Sequence, residues 1–276
     1  VKTLLEDLTL KYFETRKHGK SKDSDISTAN KHLNPFFKDI DLEMVTKENI
    51  NKLAKKLSIT VTSRNVLLSD KTVNNILSIL ISIVKFSIKE ELLKNDFTIY
   101  INKNKIDNNR ERFLTKNEIQ DLFKSVQDDN DAFLLFKLAL TLGSRLSTLL
   151  SIKKQDIDFR HMLITLKDSK NNSTYKGFLT KEVASHLKNK VIALKQNELL
   201  FQSNPEKRLR KLLSDLFNAE IDTQDRKNKV VFHTLRHTFA SHLAINGTPI
   251  YTIQKLLNHK GVDCLVTNAL HRTTST

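Results

Sequence analysis

The sequence predicts a mainly α protein with a small antiparallel β-sheet, divided into two domains over residues 1–105 and 106–276. Three observations carry that prediction. Glycine and proline are scarce, 5 and 3 in 276 residues, so helix breakers are rare. Apolar residues recur at three- and four-residue spacing through most of the chain. One segment only, 162–180 (MLITLKDSKNNSTYKGFLT), places two β-prone runs around a polar turn.

Taken in order, residues 1–17 read as a first helix, followed by a polar connector from Lys17 to Ser27. Thr28–Phe37 reads as a second helix with Leu33, Phe36 and Phe37 on its apolar side, and Val45–Leu57 as a third. Ser69 is an N-cap that opens a long helix, because Val73, Ile76, Leu77, Leu80, Val84 and Ile88 share one face. Between Asn102 and Arg112 the chain is almost devoid of apolar residues, which marks the linker. Thr115 and Glu118 then have the spacing of a capping box. Residues 131–142 form an apolar helix that should stop at Gly143, and helices resume after Thr180. Leu235–Ile245 reads as a helix capped by Thr234 and ended by Asn246-Gly247. Thr248-Pro249 then opens another, to about Leu257.

Composition narrows the function classes. Lys and Arg total 46 against 31 Asp and Glu, a formal charge of +15, which suits a polyanionic partner whose phosphates release counterions on binding. One cysteine, Cys264, excludes an internal disulfide framework and fits a reducing cytoplasm. The first residues mix charged with apolar side chains and do not read as a signal peptide. No apolar run is expected to reach the roughly 20 residues of a membrane span.

The chemistry concentrates in 232–260, FHTLRHTFASHLAINGTPIYTIQKLLNHK. His233 and Arg236 lie three apart near a helix N-terminus, and His259 follows the next helix. A guanidinium, imidazoles and a helix N-terminus together make an anion site. At such an end Arg236 opposes the helix dipole, so its removal is expected to leave the fold intact. The pair His233 and His237 also has zinc-ligand spacing, but Thr234 stands where a zinc hydrolase needs glutamate. No metal or cofactor is expected. His237 and His242 are read as packing groups.

The run H-x-L-R-H-T-F-A-S-H-L, then L-N-H-K, resembles the second signature of the tyrosine recombinases, most of all the Xer-type and phage-integrase-like enzymes. TLGSRLSTLL (141–150) is similar to the family's first arginine box, and RERFLTKNEIQDLF (110–123) to the entry into its catalytic domain. The resemblance implies a C-shaped clamp on duplex DNA, with an N-terminal core-binding domain and a catalytic domain. It implies Arg145, Lys170, His233, Arg236 and His259 as catalytic residues, with Lys170 supplied by the hairpin and Lys167 its competitor. It also implies DNA contacts from Lys71, Thr72, Asn75 and Lys85 on the polar side of the long helix. Protomers of the family work as dimers or tetramers on paired sites, with accessory proteins in some systems.

Two positions depart from the pattern. Thr148 stands where the family usually carries an acidic residue supporting the site. Asn268 stands at the place of the nucleophilic tyrosine, in a tail, GVDCLVTNALHRTTST, that lacks an amphipathic period and reads as atypical or truncated. An asparagine amide cannot form the covalent phospho-enzyme bond. Two readings follow: a site-specific recombinase whose nucleophile is altered here, or a DNA-binding relative that occupies recombination sites without cutting.

Overall fold

The computed structural model describes residues 2–63, 65–106, 112–170, 172–222, 225 and 227–258. The chain divides into two compact units, Val1–Asp107 and Asn108–Thr276. Both are mainly helical, and the second carries a three-stranded antiparallel sheet.

In the first unit, α1 spans Leu5–Glu14 and α2 spans Lys20–Thr28. A π-helical turn, Ala29–Leu33, joins α2 to the short α3, Asn34–Phe37. The polar connector expected over 17–27 is therefore largely helix. Its periodicity is invisible because α2 is polar on every side; tertiary pairing holds it instead. Arg16 donates to Asp25 at 2.6 Å, and the amine of Lys22 donates to the Arg16 carbonyl at 3.0 Å. α4 follows at Lys47–Ser58, and α5 at Asp70–Lys89. Ser69 caps α5 by accepting from the Thr72 N–H at 3.3 Å.

α5 corrects one expectation, since by length and composition it is apolar enough to cross a bilayer. Here Ile76, Leu80, Ile83 and Val84 are wholly buried and pack with Leu33, Phe37, Leu53 and Phe97 as the core of this unit. Its face is that of a core helix.

The second unit opens with α6, Lys116–Ser125. Thr115 Oγ1 accepts from the Glu118 N–H at 3.3 Å, while Glu118 accepts from the Thr115 N–H at 2.8 Å and from the Arg112 guanidinium. α7, Asn130–Leu142, is apolar nearly all round and correspondingly central. α8 is a short helix, Leu146–Leu150. Strands β1 (Ile157–Asp158), β2 (Leu163–Asp168) and β3 (Ser173–Phe178) form the meander, with Leu163 opposite Phe178 and Asp168 opposite Ser173. Along β2 the residues Ile164, Leu166 and Asp168 are buried, so Asp168 takes an inward register position. α9 (Lys181–Val191, capped by Thr180), α10 (Glu206–Phe217), α11 (Phe232–Ile245) and α12 (Ile250–Leu256) complete the unit. Thr234 is not the cap of α11 but its third residue. Its hydroxyl reaches back to accept from the Val231 N–H at 3.0 Å, so the helix begins two residues before the expected cap. Pro249, rather than Thr248, is the N-cap of α12.

Gly143 ends α7 in the left-handed region at φ 59°. A methyl added there would run into Phe239 Cδ1 and lie 2.8 Å from Leu257 Cδ2. Both strain and overpacking then oppose Gly143→Ala, which should cost about 2–4 kcal/mol in urea unfolding.

The Arg112–Glu118 pair gives a pH signature. The hydrogen bond from Arg112, with the Thr115 N–H, holds the Glu118 carboxyl below its usual range. A depressed carboxylate stabilises above its unfolded value and loses that contribution as pH falls. The stability gap between the wild-type chain and Arg112→Ala should therefore narrow from about pH 7 to about pH 3.

Candidate phosphate site

The turn after α7 and the first half of α11 build the site. Arg145 is the N-cap of α8, in extended conformation at φ −68° and ψ 149°. Its guanidinium pairs with the carboxylate of Asp168, whose side chain is 1% exposed. Arg236, in α11, is 5% exposed. It donates from Nη1 to the Gly143 carbonyl at 2.9 Å and from Nη2 to the Leu257 carbonyl at 2.8 Å. Burial, and then the positive charge of Arg145, bring Arg236 down to about 10. The two guanidiniums are thus electrostatic neighbours; Arg145 is bonded to an acid, and Arg236 to two backbone carbonyls.

His233 lies exposed in the first turn of α11, its ring edge-on to His237 with centroids 4.9 Å apart. It lines a cavity of about 740 Å³ together with Arg145, Ser144, Arg210 and Lys229. Lys170 is exposed in the β2–β3 turn, and its N–H donates to Asp168 Oδ1 at 3.1 Å. Lys167 instead points at Asp156, donating at 2.9 Å to a carboxylate that is 6% exposed. His242 bonds through Nε2 to the Leu114 carbonyl at 3.0 Å and packs edge-on against Phe113. His259 and Asn268 lie outside the described residues.

Three groups around the arginines, Asp168, Tyr175 and Asn258, carried little signal in the sequence. Asp168 has been described; its visible clue is an acid at an inward position of β2. Tyr175 donates to or accepts from Ser144 at 3.0 Å, and burial raises its phenol despite the Ser144 bond and both arginines. Asn258, left-handed at φ 51°, donates to Ser173 Oγ at 2.7 Å and to Asp168 Oδ2 at 3.4 Å. Thr148 is buried with its hydroxyl unpartnered among the described residues.

In the first unit, Thr72 and Asn75 are exposed on α5 and line a polar cavity of about 620 Å³ with Arg16, Asp25 and Ser78. Lys71 is exposed, and Lys85 donates to Asp96 at 2.6 Å.

A helical unit with a small meander thus places Arg145 and His233 at one cavity, with the buried guanidinium of Arg236 behind the turn that carries Arg145. The model of the Phage integrase family matches residues 112–268, and the chain belongs to that family. Tyrosine recombinase XerC of Staphylococcus aureus (strain bovine RF122 / ET3-1) is 30% identical over 161 residues, covering 54% of this chain and 53% of the relative. The chain therefore spans about half the length of the curated relatives it matches. Among solved structures, a lambda integrase (75-356) dimer bound to a COC' core site aligns with a TM-score of 0.74 at 16% identity, covering 99% of this chain and 98% of that one. The Tn1549 transposon integrase (aa 82-397) in complex with circular intermediate DNA aligns with a TM-score of 0.72 at 15% identity, covering 99% and 97%. At those identities the likeness is one of fold.

The geometry corrects the expectation that Arg236 is dispensable for folding. Its guanidinium is not at a solvated helix end but buried, satisfying two backbone carbonyls. Arg236→Ala leaves both without these donors and should cost about 2–4 kcal/mol, seen as a clear drop in melting temperature.

Proposed function

We propose that the chain binds duplex DNA and grips one phosphodiester in the second unit, as a tyrosine recombinase does before strand cleavage. One observation supports this most: Arg145 and Arg236, ninety-one positions apart in the chain, become electrostatic neighbours where His233 shares the Arg145 cavity. In-line attack on a phosphodiester builds charge on the non-bridging oxygens, and paired guanidiniums stabilise that charge. In this reading Lys170 protonates the leaving 5′ oxygen, His233 exchanges the proton of the attacking group, and His259 adds a hydrogen bond to the same phosphate. The arginines take the part that a metal plays elsewhere. Strands break and rejoin through a 3′-phosphotyrosine wherever a nucleophile is intact. Residues 1–105 act as the core-binding domain through Lys71, Thr72, Asn75 and Lys85, and 106–276 as the catalytic domain. The protein works in the cytoplasm as a dimer or tetramer on paired sites, with or without accessory proteins; the lambda integrase dimer bound to its core site supports the paired arrangement.

With asparagine at 268, the present chain holds DNA without cutting it. A site complementary to the transition state but lacking an attacking group gives binding rather than strand transfer. An intact copy of a related recombinase could still supply its own tyrosine on the paired site.

Two measurements test this reading. Duplex affinity should fall about a thousandfold or more between roughly 50 and 200 mM salt, and a flat plot would remove the phosphate-tracking surface. A suicide duplex nicked near the scissile phosphate should give no covalent band on a denaturing gel. Such a band would show that another tyrosine serves, with the exposed Tyr251 the first to replace by phenylalanine.

A further inference from the structure

Asp168 is the inward-facing last residue of β2, and its side chain is 1% exposed. A carboxylate there is costly unless its charge and lone pairs are met. Three segments far apart in the chain meet them. The Arg145 guanidinium arrives from the N-cap of α8, the Lys170 N–H closes over Oδ1 at 3.1 Å, and Asn258 reaches Oδ2 at 3.4 Å. Asn258 is anchored a second time to the hairpin through Ser173 Oγ at 2.7 Å, and it immediately precedes His259.

A carboxylate in contact with a phosphate-binding arginine can act in two opposed ways. It can occupy the guanidinium and compete with the incoming anion, or it can hold one corner of the fork so that the rest faces the ligand. Arg145 bonds Asp168 through Nη1, and a guanidinium has five N–H donors on a rigid plane. Its N-cap position also restrains the backbone at the root of the side chain. We propose that Asp168 is a positioning residue: it orients Arg145 and ties the turn carrying Lys170 and the segment leading to His259 into one arrangement around the phosphate. The proposal rests on the DNA-phosphate reading above, but the order of the Arg145 side chain can be measured without any ligand.

The two roles predict opposite signs for Asp168→Asn, which keeps the shape and removes the charge. The full chain, 15N-labelled, would be titrated with inorganic phosphate and with a generic duplex while the arginine Nε–H signals are followed, the Arg145 signal being assigned from Arg145→Lys. In the wild-type chain that signal should be sharp and should shift on titration. In Asp168→Asn it should broaden, phosphate should bind about tenfold more weakly, and the Arg236 signal should stay sharp on its two carbonyls. In an Arg145→Ala background, adding Asp168→Asn should change phosphate affinity no further, a coupling that a purely structural acid would not show. Tighter binding in Asp168→Asn would make Asp168 a competitor, and an unchanged signal and affinity would give it no role; either result overturns the proposal. Asp168→Ser is the second variant should the amide not fold, and if neither folds Asp168 is a folding residue and the proposal falls. If the wild-type chain binds neither phosphate nor duplex, the phosphate reading fails, while the Arg145 signal in the two chains still decides the role of Asp168.

Discussion

The second unit turns on a buried cation. Arg236 sits inside α11 with its guanidinium between the end of α7 and the end of α12, donating to the carbonyls of Gly143 and Leu257. Those acceptors lie 93 and 21 positions away in the chain. The left-handed glycine matters for the same reason, because a Cβ at 143 would meet Phe239 and Leu257, which belong to the helices Arg236 joins. Two residues beyond Gly143 the chain places Arg145 at the start of α8. The first arginine is thus located by the turn that the second one holds.

The electrostatics follow from that arrangement. Burying a guanidinium against two neutral carbonyls disfavours its charged form, and that burial, with the like charge of Arg145, brings Arg236 down to about 10. Arg145 adds like charge nearby and is itself balanced by Asp168. The pair of arginines with one acid keeps a net positive charge in a place shielded from water, where an anion gains most. The phenol of Tyr175, bonded to Ser144, adds a hydroxyl beside them. In the proposed function, an oxyanion bound there would offset the like charge of the two arginines.

Much of the architecture is legible in the sequence because its signals are local. Ser69 before Thr72 and Thr115 before Glu118 are caps that need only a span of three residues, and each forms as its residue types require. Gly143 stops α7 through its own backbone freedom. The polar turn between two β-prone runs becomes the β2–β3 hairpin. Where periodicity is absent the reading fails: α2 has no apolar face to declare it and is held by Arg16, Asp25 and Lys22. The start of α11 is missed by three residues because threonine serves equally as an N-cap or as the third residue reaching back.

The sequence by itself determined the helical class, the small meander, the basic charge balance and the family, since composition, spacing and short-range caps are properties of neighbouring residues. It also picked out Arg145 and Arg236 as residues of one chemistry. Only the tertiary structure decided what each is bonded to. Arg236 reads locally as a cation opposing a helix dipole, and becomes a buried tie between three helices. Asp168 is, in the sequence, one residue of the polar stretch between two β-prone runs, and becomes the partner of Arg145, 23 positions away, and of Asn258, 90 positions away. Such partners are set by which helix ends pack together. Hydrophobic packing of the second unit chooses that, and no spacing along the chain records it.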